Sequence, residues 1–192
     1  FVEKKPEFRN EEQKLDRDLH LMLGLQTESR IIHLYQVQGL TDEELSDVEY
    51  TVFAESSTDK AARDASSFVH QPHFILELLP GQYDQRAKAA EDCIKLILGK
   101  FGVEVRYKTV YVFPGATSEK LKQIRSYLLN PVEMREGEIL SHFDSFPQKN
   151  MKVEHLDGFR TLTEEDLFTF LHKHSLAMTR EDLLLIQNYF IQ

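Results

Sequence analysis

The chain has 192 residues, with 23 basic against 32 acidic side chains, a net charge of -9, a hydrophobic fraction of 41% and a charged fraction of 29%. That composition excludes low-complexity disorder and a membrane-spanning class, and a chain of this size buries roughly 70% of its unfolded surface with no disulfide or metal staple. The negative charge, with no local basic patch, argues against nucleic acid and membrane partners, and the single cysteine, Cys93, points to a reducing, cytoplasmic setting.

Four segments read as strands: Phe1 to Lys5, ended by Pro6; Ile31 to Val37, closed by Gly39; Phe74 to Leu79, closed by Pro80-Gly81; and Val105 to Phe113, closed by Pro114-Gly115. The last shows period-two alternation at Val105, Tyr107, Thr109, Tyr111 and Phe113. Between the strands lie apolar stripes at helical spacing. Leu15, Leu19, Met22 and Leu23 precede Gly24, and Leu45, Val48, Val52 and Phe53 form a second stripe. Ala87, Ala90, Ile94, Ile97 and Leu98 precede Gly99, and Leu121, Ile124, Leu128 and Leu129 complete the set. Ser56 to Gln71, rich in Ser, Ala and Asp, reads as a connecting loop.

Strand, helix, strand, helix thus occurs twice. Slid against itself by 76 positions, the chain places Arg30 on Arg106, Tyr35 on Tyr111, Gly39 on Gly115, Thr41 on Thr117, Glu43 on Glu119 and Leu45 on Leu121. Those six identities fall within the 24 positions from 30 to 53, where chance supplies about one or two, so an internal duplication is expected. The fold class that follows is α+β: a largely antiparallel sheet, helices on one face, two similar βα halves (about 1–55 and 72–132) within an amino-terminal domain of residues 1–132. The uncovered face of such a sheet is expected to be polar or docked. Residues 133–192 read as a linker, mostly loop with a strand-like piece at Met151 to His155, then two short helices capped at Thr163 and Thr179. The start at Phe1, and the stop at Gln192 just after the apolar run Leu183 to Ile186, read as an excised piece of a longer chain.

Little in this sequence suggests chemistry. The acidic groups at Asp42-Glu43-Glu44, Glu164-Glu165-Asp166 and Glu181-Asp182 each follow a threonine at a helix start, where capping explains them. The pairs His70/His73 and His172/His174 lack the further ligands that a metal needs. Cys93 is expected beside its helix's apolar stripe as a small buried hydrophobe. Ser141-His142-Phe143-Asp144 is no triad, because a triad assembles in space from separate elements.

One segment exceeds what packing requires. Leu78-Leu79-Pro80-Gly81-Gln82-Tyr83-Asp84-Gln85-Arg86-Ala87 runs from a strand end through a Pro-Gly turn into a helix that Asp84 can cap. Gln82, Tyr83, Gln85 and Arg86 exceed what the turn requires and make a candidate contact surface, with plain local structure as the close rival and a ligand site a more distant one.

That segment resembles the hallmark of the amino-terminal region of the phosphoribosylformylglycinamidine synthase family in its large single-chain form. Ser126-Tyr127-Leu128-Leu129-Asn130-Pro131-Val132 resembles a second signature of the family, and Leu176 to Phe190 resembles the helix leading into its synthetase domain. The resemblance implies a parent enzyme that is an ATP- and magnesium-dependent ligase. It would convert formylglycinamide ribonucleotide to formylglycinamidine ribonucleotide in purine biosynthesis, with glutamine as amide donor. It further implies a domain similar to a fused dimer of the small PurS subunit, with the synthetase and glutaminase domains of the same parent chain as its partners. No catalytic, cofactor-binding or metal residue of the family falls on this chain, which is expected to be inactive and without a cofactor of its own. Uncovered docking surfaces leave a homodimer of the isolated piece open as a further partner. The rival expectation is a regulatory α+β module that binds a small molecule at the seam between halves.

Overall fold

A computed structural model describes residues 1–139, 158–173, 176 and 178–191. The chain divides into two compact units, residues 1–144 and 145–192. The expected strand at Met151 to His155, the Ser141 to Asp144 stretch and His174 lie outside the described residues.

The alternating run of β-branched and aromatic residues forms β5 (Glu104–Val112), which pairs antiparallel along its whole length with β2 (Arg30–Gln38). These are the central strands of a six-stranded antiparallel sheet that also contains β1 (Val2–Lys4), β3 (Asp59–Ala61), β4 (His73–Leu78) and β6 (Met134–Glu136), in the order β3-β1-β2-β5-β4-β6. The fold is therefore the expected α+β class.

Two of the six strands come from stretches expected to be loop. β3 lies within Ser56 to Gln71, and β6 within the first residues assigned to the linker. Each has three residues at a sheet edge, too short for an alternation to register in sequence.

The register sorts side chains by face. Ile31, Tyr35, Val37, Phe74, Leu76, Val105, Tyr107 and Tyr111 share one face, because Ile31 and Phe74 both stand opposite Tyr111, and Tyr35 opposite Tyr107. Four helices cover it: α1 (Asn10–Leu23), α2 (Asp42–Val48), α3 (Gln85–Leu98) and α4 (Ser118–Leu128). α1 and α4 pack Leu15, Leu19 and Ile124 on Ile31, Phe74, Leu76 and Phe113. α2 and α3 pack Val48, Ala87, Ala90 and Ile94 on Val103 and Val105, with Tyr35, Val37 and Tyr107 alongside. α1 and α3 both run 14 residues and both end at a left-handed glycine, Gly24 (φ 67°) and Gly99 (φ 65°), a conformation that costs other residues about 1 kcal/mol or more. Beyond Val48 the second apolar stripe continues as a wider turn of π type, Glu49–Phe53.

The opposite face is covered from within the unit. Ile32, Leu34, Ile75, Val110 and Val112 are buried under the segment after β3, whose Phe68 is fully buried with Phe1 and Ala65 beside it. The Phe68 ring meets Phe1 and His73 edge-on at centroid distances of 5.4 and 5.3 Å. The stretch expected to be a plain connector thus supplies an apolar plug.

In the second unit, α5 (Glu164–Lys173) and α6 (Arg180–Ile191) pack Leu167, Leu171 and Leu183 together. Buried Gln187 donates from Nε2 to the carbonyls of Phe159 and Leu162, at 2.9 and 3.0 Å.

Candidate functional site

The acidic groups act as helix caps. Glu44 N donates to Thr41 Oγ1 (3.2 Å) while Thr41 N donates to Glu44 Oε2 (2.8 Å), which closes a capping box. Thr163 with Asp166, and Thr179 with Asp182, repeat that reciprocal arrangement. Among the described residues no group of three or more His, Cys, Asp or Glu side chains converges as a metal site. His73 Nδ1 lies 2.8 Å from the Gln71 carbonyl oxygen, a local contact at the start of β4. Cys93 departs from expectation: it is exposed, because α3 turns Ala90 and Ile94 to the sheet and Cys93 falls on the outer side with Leu96.

The β4–α3 loop, residues 78–87, is tied at both ends. Leu79 N donates to the Glu133 carbonyl (2.9 Å), Gln82 N to the Leu79 carbonyl (3.1 Å), and Ala87 N to Asp84 Oδ1 (2.9 Å). Gly81 sits at φ 93°, which only glycine adopts without strain. On this frame Gln82 and Gln85 are exposed and Tyr83 is 74% exposed. Arg86 is exposed as well, but lays its guanidinium back over the sheet, with its Cζ 5.2 Å from the centroid of the Tyr107 ring, a cation–π contact that contributes about 0.5–1 kcal/mol at an accessible site.

Tyr107 lies at the centre of a polar and aromatic cluster on the helix-covered face. Its hydroxyl is 2.7 Å from His33 Nδ1 and 3.0 Å from Thr109 Oγ1, and its ring stacks on His33 and tilts against Tyr35 at centroid distances of 5.7 and 5.2 Å. A phenol has one proton to give, so it donates to one of those two neighbours and accepts from the other. Burial, reinforced by the nearby Arg86 charge, pulls His33 down to about 4, and burial pushes Tyr107 up to about 12. At neutral pH the imidazole is uncharged and the phenol protonated. Neither titrates near neutrality, so the cluster is poorly matched to general acid–base work and well matched to holding a shape.

Beside the cluster is a cavity of about 260 Å³, lined by Leu76, Leu78, Tyr107, Thr109, Tyr111 and Met134, with Tyr83, Gln85 and Arg86 also on its lining. Three of the four residues singled out from sequence therefore share one cavity, and Gln82 lies outside it. His33, Tyr107 and Thr109 escaped the sequence reading, although the alternation in β5 already puts Tyr107 and Thr109 on one face and the repeat offset carries position 33 onto position 109. No family model matches the chain, and no curated protein matches it.

Proposed function

We propose that the chain is a non-catalytic organising domain of a glutamine-dependent amidoligase of the phosphoribosylformylglycinamidine synthase kind, built as a fused PurS-like pair. In this reading it works in the cytoplasm and holds the synthetase and glutaminase domains of its parent chain in register, so that ammonia released at one site reaches the other. ATP and magnesium belong to the parent's synthetase domains. The observation that carries the reading is the 78–87 loop: Gln82, Tyr83 and Gln85 are presented to solvent on a segment pinned by backbone hydrogen bonds and a helix cap. A preorganised, exposed Tyr beside an Arg matches the composition of interface centres and loses little entropy on docking.

The test is reconstitution in trans. Residues 1–192 and the remainder of the parent chain are expressed separately, and product formation is followed with glutamine and with free ammonia. The remainder is expected to use ammonia alone and to need this chain for glutamine. Full glutamine-dependent turnover without it would sink the proposal. A second reading, a module that binds a small molecule, is favoured by the cavity beneath the loop, although that cavity is lined by the second half and Met134 rather than by the seam between the halves.

A further inference from the structure

The cavity under the 78–87 loop has an apolar body and an uneven rim. Leu76, Leu78, Tyr111 and Met134 supply the apolar part. At the rim, the Asp84 carboxylate accepts from Ala87 N at the start of α3, whereas the Glu77 carboxylate turns to the other face of the sheet, where it pairs with Lys108 Nζ at 2.9 Å and Arg135 Nε at 2.8 Å. Arg86 also reaches the rim, hydrogen-bonded to the Tyr35 hydroxyl. Its guanidinium is already laid on the Tyr107 ring, so little side-chain freedom remains to be lost when an anion arrives.

Resting on the small-molecule reading, we infer that this cavity binds a small organic acid, with its apolar body among Leu76, Leu78 and Met134 and its carboxylate on Arg86. A volume of about 260 Å³ lies just below the usual range of roughly 300–1,000 Å³ for ligand pockets, which fits about ten non-hydrogen atoms rather than a nucleotide. The Asp84 carboxylate at the rim disfavours a multiply charged phosphate and leaves a single negative charge as the match for one guanidinium.

Phenylacetate and its neutral counterpart phenylacetamide probe the site. Each is titrated into the isotope-labelled 192-residue chain, with backbone amide shifts as the readout. Phenylacetate is expected to move amides of residues 76–86 and 107–111 saturably, and phenylacetamide to bind roughly tenfold or more weakly, the value of one charge-assisted contact. Arg86→Gln is expected to abolish the difference between the two probes. Equal binding of both by the native chain would overturn the acid specificity and leave the small-molecule reading standing. No saturable shift with either would overturn both.

Discussion

His33 on β2 and Thr109 on β5 stand opposite each other in the central ladder. They are 76 positions apart, the offset at which the chain matches itself in sequence. Moved by that offset, the pair Arg30–Val112 becomes Gln36–Arg106, another pair of the same ladder, so only His33 and Thr109 map onto each other. The hydroxyl of Tyr107 links these two residues, and the candidate site therefore straddles the midpoint of the chain's repetition.

The first prediction concerns pH. His33 has its folded-state pKa lowered from 6.5 to about 4 by burial, so between those values the unfolded chain binds more protons than the folded one. Stability from this group is fully present above about pH 6.5 and is lost as pH falls toward 4, by about 2 kcal/mol after allowing for the ring's partial exposure. Urea unfolding of the native chain and His33→Gln at pH 7 and pH 4.5 measures it. The native chain should lose about 2 kcal/mol more than the variant across that interval, and parallel losses would refute the assignment.

Glu77 and Lys108 should respond unequally to substitution. Lys108 is 4% exposed and its ammonium is met by Glu77 and by the Glu138 carbonyl. Lys108→Met leaves Glu77 with Arg135, so a loss of about 1 kcal/mol is expected, whereas Glu77→Ala strands a buried ammonium with one neutral acceptor and should cost about 3 kcal/mol. Denaturant midpoints of the two variants decide, and the reverse ranking would count against the pairing.

Phe68→Ala removes the plug over Ile32, Ile75 and Val110. A cost of about 3–5 kcal/mol is expected, with increased binding of a hydrophobic dye as that sheet face opens. An unchanged melting temperature would mean that another segment covers the face.

Tyr83→Ala separates docking from folding. Because Tyr83 is 74% exposed, its loss should change stability by no more than about 0.5 kcal/mol. In the trans assay, glutamine-dependent turnover should fall severalfold with ammonia-dependent turnover unchanged. Equal loss of both would point to a general defect rather than to coupling.

Local signals made much of the fold legible. Thr41-x-x-Glu44, Thr117 and Asp84 announced helix starts, and Val105 to Tyr111 announced the central strand. Sequence reading also drew attention to Tyr83, Gln85 and Arg86, because a turn requires none of them. What it missed depends on partners distant in the chain. β3 exists because Val2–Lys4 offers hydrogen bonds to Asp59–Ala61, and Phe68 is core because the sheet presents it with an apolar face. His33 belongs to the site only through the β2–β5 register, and Cys93 is exposed because α3 rotates its neighbours inward.

The sheet ends on β3 at one side and β6 at the other, each three residues long and charged: Asp59 and Lys60 on the first, Arg135 and Glu136 on the second. Short, charged borders discourage another chain from adding a strand and extending the ladder. This unit is thus guarded against growth into edge-to-edge assemblies. A mutation that lengthened or neutralised β3 or β6 would remove that guard and open the ladder to edge-to-edge aggregation.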